Sequence, residues 1–169
     1  MMLLPKKNKK NMNILIACEE SQAVCKTFRK LGYNAYSCDI LPSSGGHPEW
    51  HYNSDVFGVI KNKGGFLENG DKNYIDGNWD LMIAHPPCTY LSVSGARWFK
   101  DKQTEQQNAL DFISRLLLCP IPKIALENPI GIISTLIIRM INIYQLLKED
   151  HTLGFQIEEK NKKMQLIFL

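Results

Sequence analysis

The side chains best placed for chemistry are those that follow apolar runs. Cys88 closes His85-Pro86-Pro87-Cys88, directly after the run Trp79-Asp-Leu-Met-Ile-Ala84. Glu127, followed by Asn128, closes Lys123-Ile-Ala-Leu-Glu127, and Asp39 follows a third run over about Ala35 to Cys38. A cysteine attacks as its thiolate, and a free thiol of pKa about 8.5 is only a few per cent thiolate at neutral pH. A working Cys88 therefore needs a site that lowers its pKa or carries its proton elsewhere. Taken singly, each residue has a plainer reading, Cys88 as a small packing residue and Glu127 as a solvated strand end. Taken together they point to one place. In open α/β sheets ligands bind outside the carboxyl ends of the strands, so polar groups ending three strands converge although they lie far apart in sequence.

The elements that must position them follow from hydrophobic patterning. Asn13-Ile-Leu-Ile-Ala17 reads as a strand buried on both faces, Cys18 to Ser21 as a turn, and Gln22 to Leu31 as a helix with Val24, Phe28 and Leu31 on one face, stopped by Gly32. A second strand ending on Asp39 makes a β-α-β unit, whose parallel strands need the crossover helix. From Leu41 to Trp79 the chain is rich in Pro, Gly, Asn and Ser, and only Asp55 to Ile60 suggests an ordered piece. Thr104-Glu-Gln-Gln107 has capping-box spacing ahead of a helix presenting Ala109, Phe112, Ile113, Leu116 and Leu117, which Pro120 and Pro122 end. The expected fold is α/β, a doubly wound, Rossmann-like sheet.

The combination of Pro87-Cys88 in HPPCTYLSVSGARW with Glu127-Asn128 in ALENPIG resembles the cytosine-C5 DNA methyltransferases, in particular their short phage and prophage members. The runs Leu15 to Gln22 and Ser37 to Trp50 are similar to the same members, and the likeness covers about Met12 to Thr135. The resemblance implies a Rossmann-like methyltransferase fold, S-adenosylmethionine as cofactor and DNA as partner. It makes Cys88 the nucleophile, with Pro87, Glu127 and Asn128 around the base. Cytosine C5 is a poor nucleophile until a group adds to C6, and a thiolate suits adding there and leaving again. Glu127 would share a proton with cytosine N3 as Cys88 attacks, and Asn128 would orient that carboxyl group or the exocyclic amine. The target base must leave its stack, at a cost of a few kcal/mol. Asp39 would hold the ribose hydroxyls and Asp55 the adenine amine, while Cys18, Glu19, Glu20 and Ser21, with Pro86, would lie against the rest of the cofactor. In larger family members glycines occupy that turn; here acids and a serine stand instead.

Other features bound the function. The 169 residues are 44% hydrophobic and 22% charged, suited to one folded domain. The net charge of +3 includes Lys6, Lys7, Lys9 and Lys10, without which 16 basic side chains face 17 acidic ones. Net charge therefore does not announce a nucleic-acid binder, and contact with DNA would fall to local groups: Ser92, Arg97, Trp98 and Lys100, a segment equally readable as a surface loop. Ser92 and Ser94 lack the His and Asp pattern of a nucleophilic serine. Five cysteines without a CxxC pair indicate neither a disulfide framework nor a zinc ribbon, and fit a reducing cytoplasm. Cys18, Cys25, Cys38 and Cys119 are expected to pack. His47 and His51 have HxxxH spacing, but Pro48 opposes a helix carrying both, so no metal is expected.

Residues 1–11 read as a basic extension, with Met12 a candidate start and no signal peptide. Ile130 to Leu147 is long and apolar, yet Arg139 near its centre would cost roughly 2.5–3.5 kcal/mol in a bilayer. No membrane span is expected. Residues 12–135 form the expected catalytic domain. Beyond Thr135 the likeness fades into an uncertain helix, and Met164 to Leu169 reads as a last strand that stops abruptly, as in a truncated or frame-shifted chain. Two alternatives stay open: a methyltransferase acting on a nucleotide or an exocyclic amine, and a noncatalytic module binding DNA or a partner. Oligomeric state is not legible.

Overall fold

A computed structural model of the chain describes residues 11–91, 102–128 and 165–168. The chain builds β1 (Asn13–Ala17), α1 (Ala23–Lys30), β2 (Asn34–Asp39), a 3-10 turn (Pro48–Trp50), β3 (His51–Asn53), α2 (Val56–Asn62), β4 (Gly64–Phe66), β5 (Lys72–Tyr74), β6 (Leu81–Ala84), α3 (Gln103–Leu117), β7 (Ile124–Asn128) and β8 (Gln165–Phe168). Six strands form one sheet in the order β3-β2-β1-β6-β7-β8, and β4 pairs with β5 as a separate hairpin. The pairs β1–β2, β1–β6 and β2–β3 are parallel. From β1 the chain winds outward to β2 and β3, then returns to β6 on the other side. The fold is therefore a doubly wound, Rossmann-like α/β sheet, with its topological switch point between β1 and β6.

Contacts divide the chain into two compact units, residues 1–85 with 119–125 and residues 86–118 with 126–169. In the first, Ile14, Leu15, Ile16 and Ala17 are wholly buried, as expected of a strand covered on both faces. Each of the three larger side chains among them contributes about 1.5–3 kcal/mol of burial. Ile14 and Ile16 pack with Cys25 and Ala35 beneath Val24, Phe28 and Tyr33. Gly32 ends α1 as expected, at φ 86°. Its amide donates to the Arg29 carbonyl at 3.0 Å and that of Tyr33 to Phe28 at 3.1 Å, the two bonds of a Schellman motif. The Phe28 and Tyr33 rings meet edge to face at 5.6 Å, adding its usual hydrophobic contact. In the second unit, α3 buries Ile113 against Leu91 and Leu126, with Ala109, Leu110 and Leu117 alongside.

Three expectations need correction or limitation. Residues 41–79 hold far more structure than the single ordered piece expected: a 3-10 turn, three short strands and α2. Strands of three residues are too brief to show periodicity, and Gly, Asn and Lys resemble turn composition. Pairing makes them strands: Ser37 aligns with His51 in β2–β3, and Gly64 with Tyr74 in β4–β5. Glycine is required at position 64, where φ is 135° and a Cβ would stand 2.1 Å from the Asn73 carbonyl oxygen. The capping box is absent as well. Gln103 already begins α3 and Lys102, at its N-cap, makes no side-chain cap bond, so Thr104 lies inside the first turn. The strand expected at the end of the sequence is β8, but the boundary at 135 and the apolar stretch Ile130 to Leu147 lie outside the described residues. Among the described residues no helix is long and apolar enough to cross a membrane.

Candidate active site

In the first unit the site is built on the turn between β1 and α1. Cys18 and Gln22, at φ 59° and 57°, hold the left-handed conformation for which glycine is the usual residue. A side chain there costs about 1–2 kcal/mol each, and the neighbouring hydrogen bonds offset that strain. The Glu19 amide donates to the Cys38 carbonyl at 3.2 Å. The Glu19 carboxylate accepts from the amides of Val24 (2.6 Å) and Cys25 (3.2 Å) in the first turn of α1. Ser21 is exposed, and its Oγ accepts from the Ala23 amide at 3.4 Å.

A loop over residues 43–47 is fastened to this turn. Glu20 takes the Ser44 hydroxyl with its carboxylate and the Ser44 amide with its carbonyl. Gln22, wholly buried, donates to the His47 carbonyl at 2.8 Å and accepts the His47 amide at 3.0 Å. Glu68 accepts the Ser43 hydroxyl at 2.5 Å, and Lys26 donates to the Gly45 carbonyl at 3.2 Å. Gly45 lies so close to Gln22 that a Cβ would stand 2.5 Å from the Gln22 Cβ. Sequence reasoning missed the clamp that Gln22, Lys26 and Glu68 place on the 43–47 loop. Gln22 had a faint signal, a polar residue opening an amphipathic helix; Glu68, 25 residues from Ser43, had none. Gln22→Leu is expected to leave the amide and carbonyl of His47 without their partner in a partly buried place. Unfolding in urea should read a loss of about 1–3 kcal/mol, with faster amide exchange at His47; unchanged stability and exchange would show that the clamp contributes nothing.

The two histidines have commitments other than metal. His51 is buried, with Nδ1 2.9 Å from the Ser37 hydroxyl and Nε2 3.0 Å from the Leu41 carbonyl. A carbonyl only accepts, so Nε2 carries the proton. His47 stacks on Trp50 at 3.9 Å and approaches Glu49 at 2.9 Å through Nδ1. Among the described residues no three His, Cys, Asp or Glu side chains form a metal-binding group.

Asp39 stands at the carboxyl end of β2, where Oδ1 accepts from the Leu41 amide at 2.9 Å. Beside it Ile40 is 79% and Leu41 56% exposed, an apolar surface in a place where strand ends usually turn polar. Asp55 caps α2, accepting from the Gly58 amide at 3.1 Å. The structure brings Asp39 and Asp55 to Cys18, whose thiol is pushed up to about 12 by burial first and then by these two carboxylates. Burial likewise pushes the Cys25 thiol up to about 11 and raises Cys38 further. All three stay protonated at neutral pH, as packing cysteines do.

The second unit holds the other pair. Pro86 is buried, Pro87 exposed and Cys88 half-buried. The Cys88 carbonyl accepts the Leu91 amide at 3.0 Å, closing a tight turn. Gln106 of α3 donates to the Tyr90 carbonyl at 3.2 Å, and Lys102 stands 5.3 Å from the Tyr90 ring centroid. Leu91 is wholly buried against Ile113 and Leu126. The residue three past Cys88 and the residue before Glu127 thus share one small core, which joins the Cys88 turn to the strand that bears Glu127. Glu127 is half-buried, and Asn128 is the last residue of β7. Ser92, Arg97, Trp98 and Lys100 lie outside the described residues.

No protein-family model matches the sequence, and no curated protein matches it. Among solved structures the chain is similar to an rRNA methylase from Escherichia coli, with a TM-score of 0.41 and 11% identity. The match covers 92% of this chain and 55% of that one, so the chain spans about half the length of that structure.

Proposed function

We propose that the protein transfers a methyl group from S-adenosylmethionine to C5 of cytosine in DNA. The observation that carries this reading is the joint anchoring of Cys88 and Glu127 through Leu91 and Leu126, which belong to one core. A thiol and a carboxyl group held by one core suit nucleophilic addition to an activated ring.

The residues around the β1–α1 turn fit the cofactor. Asp39 uses one carboxylate oxygen on its own loop and offers the other to a ribose hydroxyl, while Ile40 and Leu41 offer an exposed apolar face to a purine. Asp55 spends one oxygen on capping α2 and keeps one for the adenine amine. Both oxygens of the Glu19 carboxylate are engaged by α1. S-adenosylmethionine, when bound, supplies the activated methyl group.

The Cys88 thiolate adds to C6, and the electron pair displaced from the C5–C6 bond passes toward N3, where Glu127 supplies a proton. C5, made nucleophilic in this way, would accept the methyl group that the bound cofactor supplies. Water would take the C5 proton, the double bond would re-form as the Cys88 thiolate leaves C6, and N3 would return its proton to Glu127. Asn128 orients the Glu127 carboxyl group or the exocyclic amine. Ser92, Arg97, Trp98 and Lys100 are proposed to contact the DNA.

The test is transfer of labelled methyl from S-adenosylmethionine to unmodified DNA, with the product nucleoside mapped. Label in 5-methylcytosine is the expected result. Label on an exocyclic nitrogen or only on free nucleotide would overturn the cytosine-C5 reading in favour of another methyl acceptor, and no label with folded, cofactor-binding protein would favour a noncatalytic module.

A further inference from the structure

The first helix of a doubly wound sheet ordinarily offers free amides at its N-terminus, where nucleotide phosphates settle against the positive end of the helix dipole. Here those amides are already taken. Glu19 lies four residues before the first residue of α1, yet its carboxylate folds back to accept from Val24 at 2.6 Å and Cys25 at 3.2 Å, and the residue is 6% exposed. Gln22, at the N-cap, contributes no side-chain cap of its own. The Glu20 carboxylate lies on the same turn, and those of Asp39 and Asp55 act on Cys18 at its start. The cation bound beside them, Lys26, holds the Gly45 carbonyl, while Arg29 and Lys30 belong to the opposite end of α1.

We propose that Glu19 is a specificity-determining residue: a built-in anion that closes the α1 N-terminus to phosphate, so that this turn accepts an uncharged or cationic adenosine derivative and rejects phosphorylated nucleotides. The adenosine part rests on the cofactor reading above, whereas the exclusion of phosphate stands on the Glu19 geometry alone. A phosphate group would have to displace a buried carboxylate from two hydrogen bonds and then sit among further carboxylates. A sulfonium or ammonium group meets no such opposition.

Two measurements on the full chain test this. In titration calorimetry, wild-type protein should bind S-adenosylhomocysteine and adenosine, with AMP weaker than adenosine by about tenfold or more, as like-charge juxtaposition demands. In thermal melting, inorganic phosphate should leave the wild-type midpoint where chloride of matched ionic strength leaves it. Glu19→Ala should melt lower, and phosphate should raise its midpoint back toward the wild-type value by occupying the vacated amides. Should Glu19→Ala fail to fold, Glu19→Gln carries the same test: its carbonyl satisfies one amide, its charge is gone, and the gap between adenosine and AMP should narrow. Wild-type protein that binds AMP as tightly as adenosine, or is stabilised by phosphate, would overturn the proposal. So would folded Glu19 variants that ignore phosphate and keep the full gap. If neither adenosine compound binds, the cofactor reading fails and the melting experiment alone decides the role of Glu19.

Discussion

Cys88→Ala folds as the wild type does and loses methyl transfer by about 10⁴-fold or more, because the substitution removes the thiol proposed to form the covalent bond, and Cys18, Cys25 and Cys38 are poorly suited to replace it. Cys18 and Cys25 are held up to about 12 and 11 by burial, and Cys38 is raised further, so thiolate at neutral pH is scarce at all three. The half-buried position of Cys88 makes the substitution gentle, and the adjoining turn is anchored by Leu91. Transfer should be measured with labelled cofactor, and urea unfolding of the same preparation should match the wild type. Activity within tenfold of wild type, a difference of about 1.4 kcal/mol in barrier, would remove Cys88 from the chemistry.

Glu127→Gln is expected to lower turnover by about 10²–10³-fold while leaving DNA binding near the wild-type level, the magnitude general acid catalysis usually supplies. The amide keeps a similar shape and can accept a hydrogen bond, but it has no proton to share with cytosine N3. Negative charge would then build in the ring as Cys88 adds, and addition would slow. Single-turnover kinetics beside a binding isotherm separate the two effects. Equal losses in binding and turnover would reduce Glu127 to a binding contact.

Much of this arrangement is legible in the sequence because it depends on local pattern. A run such as Ile14-Leu-Ile-Ala17 can satisfy its side chains only in a strand covered on both sides, and Gly32 stops α1 for a conformational reason that one residue reveals. The polar ends of β2 and β7 and the Cys88 turn follow from the same reading. What stays hidden depends on pairing across distance. Strands β3, β4 and β5 exist because of their partners, as the close approach of Gly64 to Asn73 shows. The Glu19 carboxylate is drawn to the amides of the helix it precedes, a backbone demand that no residue spacing displays. Gln22 reads as an ordinary first residue of a helix, and only the folded loop reveals the His47 backbone it holds. The absence of glycines from the β1–α1 turn likewise becomes intelligible only with φ angles: Cys18 and Gln22 adopt the conformation glycine would have taken, held there by Glu19 and the 43–47 loop.

The central claim is that Cys88 forms a covalent bond to cytosine C6 during methyl transfer, and a 5-fluorocytosine substrate tests it most directly. Fluorine at C5 cannot leave as a proton does, so the last step stops and the adduct persists. Incubation of wild-type protein with S-adenosylmethionine and DNA carrying 5-fluorocytosine should give a species at the combined mass of protein, DNA and one methyl group, resistant to denaturation and mapped by peptide analysis to Cys88. Folded protein that transfers methyl to ordinary cytosine yet yields no adduct, or an adduct mapped to another residue, would contradict the account.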